Sequence, residues 1–83
     1  MAILKYPLAT EKAVSIIDQK NTIIYVVDMR ASRSIIKSEF EKTFNVKVKR
    51  VNTVNMPTNY KKAYIQLQPQ YKAGDIAVKL KLV

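Results

Sequence analysis

The sequence lacks the residues on which most catalytic and metal sites depend. It contains no cysteine and no histidine, which excludes disulfides, thiolate zinc sites, and the commonest general base and metal ligand. It contains a single glycine, so a glycine-rich phosphate loop cannot form. The six acidic residues form no spaced pair flanked by a plausible pocket sequence and no metal-ligand cluster. We therefore expect a protein that is not an enzyme and that holds no cofactor and no metal.

Long apolar runs are also absent. No stretch approaches the roughly 18 apolar residues of a membrane span, and a lysine and a proline lie near the N-terminus, where a signal peptide would be apolar. We therefore expect a cytoplasmic protein with no membrane insertion. The chain has 83 residues, of which 48% are hydrophobic, and this fits a single domain over 1–83 with one modest core.

Positive charge is the most informative quantity in the composition. Lysine and arginine number 15 against six acids, which gives a net charge of +9. This excess is larger than solubility requires and indicates an anionic partner. Nucleic acid is the first candidate and a membrane surface is the second. A lysine-rich surface that binds nothing is the remaining alternative.

The first part of the chain predicts a strand, a helix and a second strand. Residues 2–6 fit a short strand, and Thr10 is suited to cap a helix over about 10–18. Residues 22–27, TIIYVV, are apolar on both faces. This pattern predicts a central strand that is covered on both sides, with Tyr25 in the core.

An amphipathic helix is predicted over residues 33–44, with Ser32 as its cap. The residues at i, i+4, i+7 and i+8 form its core-facing side, and they are Ile36, Phe40, Thr43 and Phe44. The other face is expected to carry Lys37, Ser38, Glu41 and Lys42. This face is polar and charged, which is typical of a helix with one side in solvent.

A hairpin is predicted after this helix. Residues 46–55 and 61–68 alternate apolar and polar side chains, and residues 56–60 form the turn between them. The alternation weakens at Arg50, where we expect a bulge or a twisted edge.

The C-terminal tail fits two structures. In one, Asp75 caps a short helix whose buried face is Ile76, Leu80 and Val83. In the other, a strand alternates through Val78, Leu80 and Leu82. We favour the helix. The order β-α-β-α-β-β, with this possible C-terminal helix, predicts an α+β fold with a small, mainly antiparallel four-stranded sheet.

Basic, amide and hydroxyl side chains cluster on the predicted hairpin. Lysine and arginine neutralise phosphates, while amides and hydroxyls bind phosphate or ribose oxygens. We therefore expect RNA contacts from Lys47, Lys49, Arg50, Asn52, Thr53, Asn55, Lys61 and Lys62. The alternative is a solvated edge strand, because lysines commonly protect sheet edges. Arg30 and Arg33 form a second basic site, expected at the end opposite the hairpin, or serve solubility alone.

Base stacking is not the predicted mode of binding. Sheets that bind single-stranded RNA present aromatic side chains on exposed strand faces. We take two residues as the only strand aromatics, namely Tyr25, which is expected in the core, and Tyr64. The predicted mechanism is electrostatic attachment with a fit of shape.

Several short segments, in a fixed order and spacing, carry a resemblance. They are Pro7 followed by TEKA at 10–13, NT at 21–22 before IIYVVD, RA at 30–31 before KSEFEKTFNVKV, VNT at 51–53, and KKAY at 61–64. Together they resemble the universal large-subunit ribosomal protein number 23 family in its short archaeal form, over nearly the whole chain. The resemblance implies a four-stranded α+β fold and a structural role in the large ribosomal subunit. It also implies binding to large-subunit rRNA near the polypeptide exit tunnel.

The resemblance further implies partners at the exit site, namely ribosomal protein number 29 and the signal recognition particle. In bacterial members, the acid of a T/S-E-K motif contacts a ribosome-bound chaperone, and by motif that acid is Glu11. Thr10 and Lys12 would then touch RNA or a docking factor. From the residues alone, Glu11 is simply a favourable acid at a helix N-terminus.

One departure from the family limits what is carried over. Bacterial members have a long basic extension between the last two strands, and here residues 54–60 close the hairpin directly.

We expect no homo-oligomer. Two alternatives remain, which are a free-standing RNA-binding module and a small acylphosphatase-like enzyme.

Overall fold

The computed structural model describes residues 3–57 and 59–80. Its elements are β1 (Leu4–Pro7), α1 (Glu11–Lys20), β2 (Thr22–Val27), α2 (Arg33–Phe44), β3 (Val48–Met56), β4 (Tyr60–Leu67) and α3 (Ala73–Lys79). Within these described residues, four strands form an antiparallel sheet in the order β1-β2-β4-β3, with β1 and β3 at its edges. This confirms the predicted α+β fold and its four-stranded antiparallel sheet.

The strand β2 is central and buried on both faces, as its sequence predicts. All six of its residues are buried. Tyr25 belongs to the main core, where its ring meets Phe40 of α2 edge to face with 6.2 Å between ring centroids. Burial raises the pKa of the Tyr25 hydroxyl above its ordinary value, because the phenolate would be poorly solvated there.

Both long helices begin at the predicted caps. The hydroxyls of Thr10 and Ser32 each accept a hydrogen bond from the backbone N–H three residues later, at 3.2 and 3.3 Å. Each helix ends at an asparagine in the left-handed conformation, Asn21 with φ 51° and Asn45 with φ 55°. Asparagine tolerates this conformation better than most residues, so it marks a natural end for a helix.

The helix α2 covers the core face of the sheet through Ile36 and Phe40, which are fully buried. Two expectations for this helix are wrong. Thr43 is exposed, because the last turn packs through Phe44, whose ring lies 4.6 Å from that of Phe40. Glu41 is not a solvated residue, because its carboxylate accepts a 2.8 Å hydrogen bond from the backbone N–H of Val48. That bond attaches α2 to the start of β3.

The expected bulge is present in β3. Val48 pairs with Leu67 and Arg50 pairs with Gln66, so Lys49 is the extra residue. The strand begins at Val48, two residues later than predicted. The bulge allows Val48 to face the core while Arg50 lies on the other side of the sheet.

The hairpin turn is shorter than predicted. Met56 pairs with Tyr60, so both belong to the strands and not to the turn. Asn59 precedes β4 with φ 61°, a left-handed conformation that suits an asparagine in a hairpin turn.

The tail forms the helix α3 and not a strand. Its buried face consists of Ala73, Ile76 and Ala77, with Leu80 partly buried against the same core. Val78, which the strand alternative turned inward, is 62% exposed. Asp75 lies in the first turn instead of capping the helix, since the N-cap position is Lys72. Val83 and Leu82 lie outside the described residues.

The side chain of Asn21 joins three elements at the end of α1. Its amide N–H donates to the backbone carbonyl of Tyr71 at 2.8 Å, and its amide oxygen accepts from the backbone N–H of Ala73 at 2.6 Å. Its own backbone carbonyl accepts from Leu67 at 3.1 Å. One residue therefore holds α1, the end of β4 and the start of α3 together.

Candidate nucleic-acid interface

One face of the sheet is open to solvent along β3 and β4. Directly opposed residues in an antiparallel pair share a face, and the register defines this open face as Tyr60, Lys62, Tyr64 and Gln66 of β4 with Arg50, Asn52 and Val54 of β3. On the same side of β2, the residues Thr22, Ile24 and Val26 are buried. The helix α1 packs against β2, so it covers this part of the face and leaves the β4–β3 part open.

A groove runs between α1 and the open face, and we call it the basic groove. It consists of two adjoining depressions, and both are lined by Ile16 of α1 and Tyr64 of β4. Its cationic lining residues are Lys12, Lys20, Arg50 and Lys62. Within the described residues, no acidic side chain lines either depression. The groove is therefore suited to bind an anion such as a nucleic-acid backbone.

The groove brings together part of the predicted site. The predicted residues that line it are Thr10, Lys12, Arg50, Asn52 and Lys62. They come from a helix N-terminus and from two strands, so residues distant in sequence share one surface. Their combination of amide, hydroxyl and cationic groups suits contacts to phosphate and ribose.

A comparison with known protein families identifies the family of this chain. The sequence model of the family described as Ribosomal protein L23 matches residues 2–76. The chain belongs to the ribosomal protein L23 family. Members of this family are structural proteins of the large ribosomal subunit, which bind rRNA and serve translation.

Membership in the L23 family decides between the functions that the sequence left open. The family is one of structural ribosomal proteins and not of enzymes, so the acylphosphatase-like alternative is excluded. It also places the chain on the large subunit, with rRNA as its partner, rather than free-standing.

None of the helices in the described ranges is long and apolar enough to cross a membrane.

The remaining hairpin residues of this L23-family chain lie outside the groove. Thr53 and Asn55 pair with Ala63 and Lys61, which places them on the side of the sheet that faces α2. The ammonium group of Lys61 donates to the backbone carbonyl of Ala31 at 2.8 Å. Lys61 and Lys62 therefore point to opposite faces, as alternation along a strand requires.

The second basic site does not lie opposite the hairpin turn. Antiparallel pairing puts Val27, at the end of β2, beside Lys61, near the start of β4. Ala31 follows and contacts Lys61, so Arg30 and Arg33 emerge at the same end of the sheet as the turn. Both arginines are exposed. The expectation of an opposite end is wrong because it required the strand order, which sequence spacing alone does not give.

Lys47 and Lys49 lie at the other end of the sheet, where β3 begins. Both are exposed. The backbone carbonyl of Lys47 accepts from Gln68 at 3.0 Å, which extends the pairing beyond the strand. Basic residues therefore lie at both ends of the sheet.

Six groove residues with polar or aromatic side chains were missing from the predicted binding site, namely Gln19, Lys20, Thr22, Tyr60, Tyr64 and Gln66. Tyr64 was not given a stacking role, because base stacking was not the predicted mode of binding. Tyr60 was assigned to the turn. For the β4 residues, the signal was the alternation of Tyr60, Lys62, Tyr64 and Gln66, of which the predicted strand 61–68 already contained all but Tyr60. The interpretation that Tyr25 and Tyr64 are the only strand aromatics is wrong, because Tyr6 lies in β1 and is 53% exposed, and Tyr60 lies in β4.

Glu11 lies in the first turn of α1 and is exposed. It lines a third depression, which runs along α1 together with Lys12, Ser15 and Lys20. Glu11 does not line the basic groove, although Lys12 and Lys20 line both this depression and the groove. The exposed carboxylate of Glu11 is therefore accessible to a partner next to the groove.

Proposed function

We propose that this L23-family chain is the short archaeal form and that residues 1–83 make up a single rRNA-binding domain. It binds large-subunit rRNA near the polypeptide exit tunnel and helps to form the docking site for factors that meet the nascent chain. The observation that carries this proposal is the basic groove, which is lined by four cations and by no acid within the described residues. The direct closure of the β3–β4 hairpin supports the short form.

Phosphate contacts are proposed chiefly for the groove. Lys12, Lys20, Arg50 and Lys62 would neutralise the RNA backbone, with Thr10 and Asn52 setting its position. Further contacts at the two ends of the sheet are proposed for Arg30, Arg33, Lys47, Lys49, Thr53, Asn55 and Lys61. Lys61 would act in part indirectly, because its ammonium group already holds the Ala31 carbonyl.

Factor docking is proposed for Glu11, in the exposed first turn of α1. A carboxylate that is exposed on a protein of net charge +9 is a distinctive contact for a basic partner. Ribosomal protein number 29 and the signal recognition particle are the proposed neighbours at this exit site, and the proposed location is a cytoplasmic ribosome.

The experiment is chemical footprinting of large-subunit rRNA at about 0.2 M salt, with excess unrelated duplex RNA as competitor. We expect a compact protected patch that survives the competitor. Diffuse protection that the competitor removes would contradict specific binding, and it would mean that the positive charge acts generically.

A pair of double variants tests the groove itself. Replacing Lys12 and Lys62 with alanine should flatten the dependence of log K on log salt by roughly 1.4–1.8, since each lost phosphate contact contributes about 0.7–0.9. The matched control replaces Lys37 and Lys42, which are exposed on α2 away from the groove. An equal change in both double variants would show that the groove is not the binding surface.

A further inference from the structure

Tyr64 occupies the middle of the basic groove. It lies on the open face of β4, is half-buried, and lines both depressions. Its cross-strand neighbours are Ile24 of β2 and Asn52 of β3. Neutralising phosphates requires only the surrounding cations, so an aromatic ring at this position has no role in charge attraction.

The groups around Tyr64 suit the recognition of a base as well as a backbone. Asn52 and Gln66 present amides on the same face. The Gln66 amide already donates one hydrogen bond to the backbone carbonyl of Lys20 at 3.4 Å, and the remaining amide groups can both donate and accept. Tyr60 lies on this face four residues earlier in the strand. Aromatic rings on an open sheet, beside cations and amides, form the arrangement with which sheets bind unpaired RNA.

The cations stand on both sides of the ring. Lys12 and Lys62 line the depression on one side, and Lys20 and Arg50 line the depression on the other. Along β4, the distance from Lys62 to Gln66, the partner of Arg50, is roughly 13 Å at the usual rise of a strand. A strand of RNA that crosses Tyr64 would therefore find positive charge before and after it.

We propose that the basic groove binds an unpaired segment of RNA, with one base stacked on Tyr64 and the flanking phosphates held by the cations of the two depressions. The inference rests on the proposed rRNA-binding function and names the class of RNA that this site takes. A duplex would use the same cations, but its bases are already stacked and paired, and it would gain nothing from the ring.

The test measures binding of three probes, which are large-subunit rRNA, single-stranded polyuridine and a blunt RNA duplex. Tyr64→Leu removes the ring and keeps apolar bulk. We expect it to weaken binding of rRNA and polyuridine by about 5- to 150-fold, with an unchanged salt slope and unchanged duplex binding. Tyr64→Phe should bind like the parent. Lys62→Ala should instead weaken binding of all three probes and flatten the slope.

Equal losses on duplex and on polyuridine would overturn the inference, as would a Tyr64→Leu protein that binds polyuridine like the parent. Failure of the parent to bind rRNA in the presence of competitor would overturn the proposed function instead. The polyuridine arm is measured separately, so the two failures are distinguishable.

A fluorescent variant keeps the test valid if Tyr64→Leu fails to fold. The chain has no tryptophan, so Tyr64→Trp provides a single reporter in the groove. We expect polyuridine to quench its emission and the duplex to leave it unchanged. The control is Val78→Trp, on the exposed side of α3, which should respond to neither. Unchanged emission of Tyr64→Trp at saturating polyuridine would overturn the inference.

Discussion

Replacing Asn21 with glycine should destabilise the protein far more than the same change at Asn45. Both residues end a helix in the left-handed conformation, with φ of 51° and 55°, and glycine adopts this conformation without strain. The backbone effects of the two changes are therefore matched. What differs is the side chain, since Asn21 bonds to Tyr71 and Ala73, while Asn45 makes no side-chain hydrogen bond to the other described residues.

The expected magnitude follows from the two short bonds of Asn21. Each hydrogen bond contributes about 0.5–1.5 kcal/mol, and a buried group left without a partner costs about 1–3 kcal/mol. Ala73 is fully buried, so its backbone N–H, left without a partner, should account for most of the cost. We expect a loss of about 3 kcal/mol for Asn21→Gly and a change within about 0.5 kcal/mol for Asn45→Gly. In a domain of this size, 3 kcal/mol corresponds to roughly 12–24 °C in Tm.

Urea unfolding followed by far-ultraviolet circular dichroism measures this difference. The midpoint of Asn21→Gly should fall while the slope of unfolding free energy against urea stays the same, which identifies a change in stability and not in compactness. Equal midpoints for the two variants would refute the view that the side chain of Asn21 joins α1, β4 and α3. If both midpoints fell equally below that of the parent, the loss of stability would belong to the backbone change instead.

Three further predictions concern the core, the hairpin lysines and pH. Phe40→Ala should cost about 3–5 kcal/mol of unfolding free energy, whereas Ile35→Ala, at a position 46% exposed on the same helix, should cost much less; equal urea midpoints would contradict the packing of α2. Lys62→Ala should flatten the salt dependence of rRNA binding by about 0.7–0.9, whereas Lys61→Ala should mainly lower Tm, since it loses the bond to Ala31; the reverse pattern would exchange their roles. Burial raises the pKa of Tyr25 in the folded state, so the unfolded chain loses this proton first and stability should fall as pH rises above about 10; Tyr25→Phe should make that fall shallower, and an identical alkaline profile would contradict it.

Local features of the fold were predictable because the signals that determine them are local. The caps Thr10 and Ser32 act within one turn of their own helices. Because the apolar run of β2 continues on both faces of the strand, both faces must be buried, whichever elements bury them. The irregular alternation near Arg50 indicated the bulge before any pairing was known. In each case the physical cause lies within a few residues of its effect.

The candidate site was less predictable because it depends on the strand order and on which face α1 covers. The sequence grouped Lys61 with Lys62, whereas alternation places them on opposite faces. It placed Arg30 far from the hairpin turn, whereas the pairing of β2 with β4 brings the two together. The role proposed for Tyr64 follows from the position of α1 along the open face. That position is a tertiary property that no spacing in the sequence records.

The place of β3 in the sheet has a consequence for the protein before it reaches a ribosome. As an edge strand of nine residues, it offers backbone groups to which another newly made chain could add a strand. The bulge at Lys49 interrupts that template, and the mutual repulsion of exposed cations discourages two copies from aligning. We therefore expect the exposed basic side chains of β3, such as Lys49, to prevent self-association of the free protein and to bind RNA afterwards.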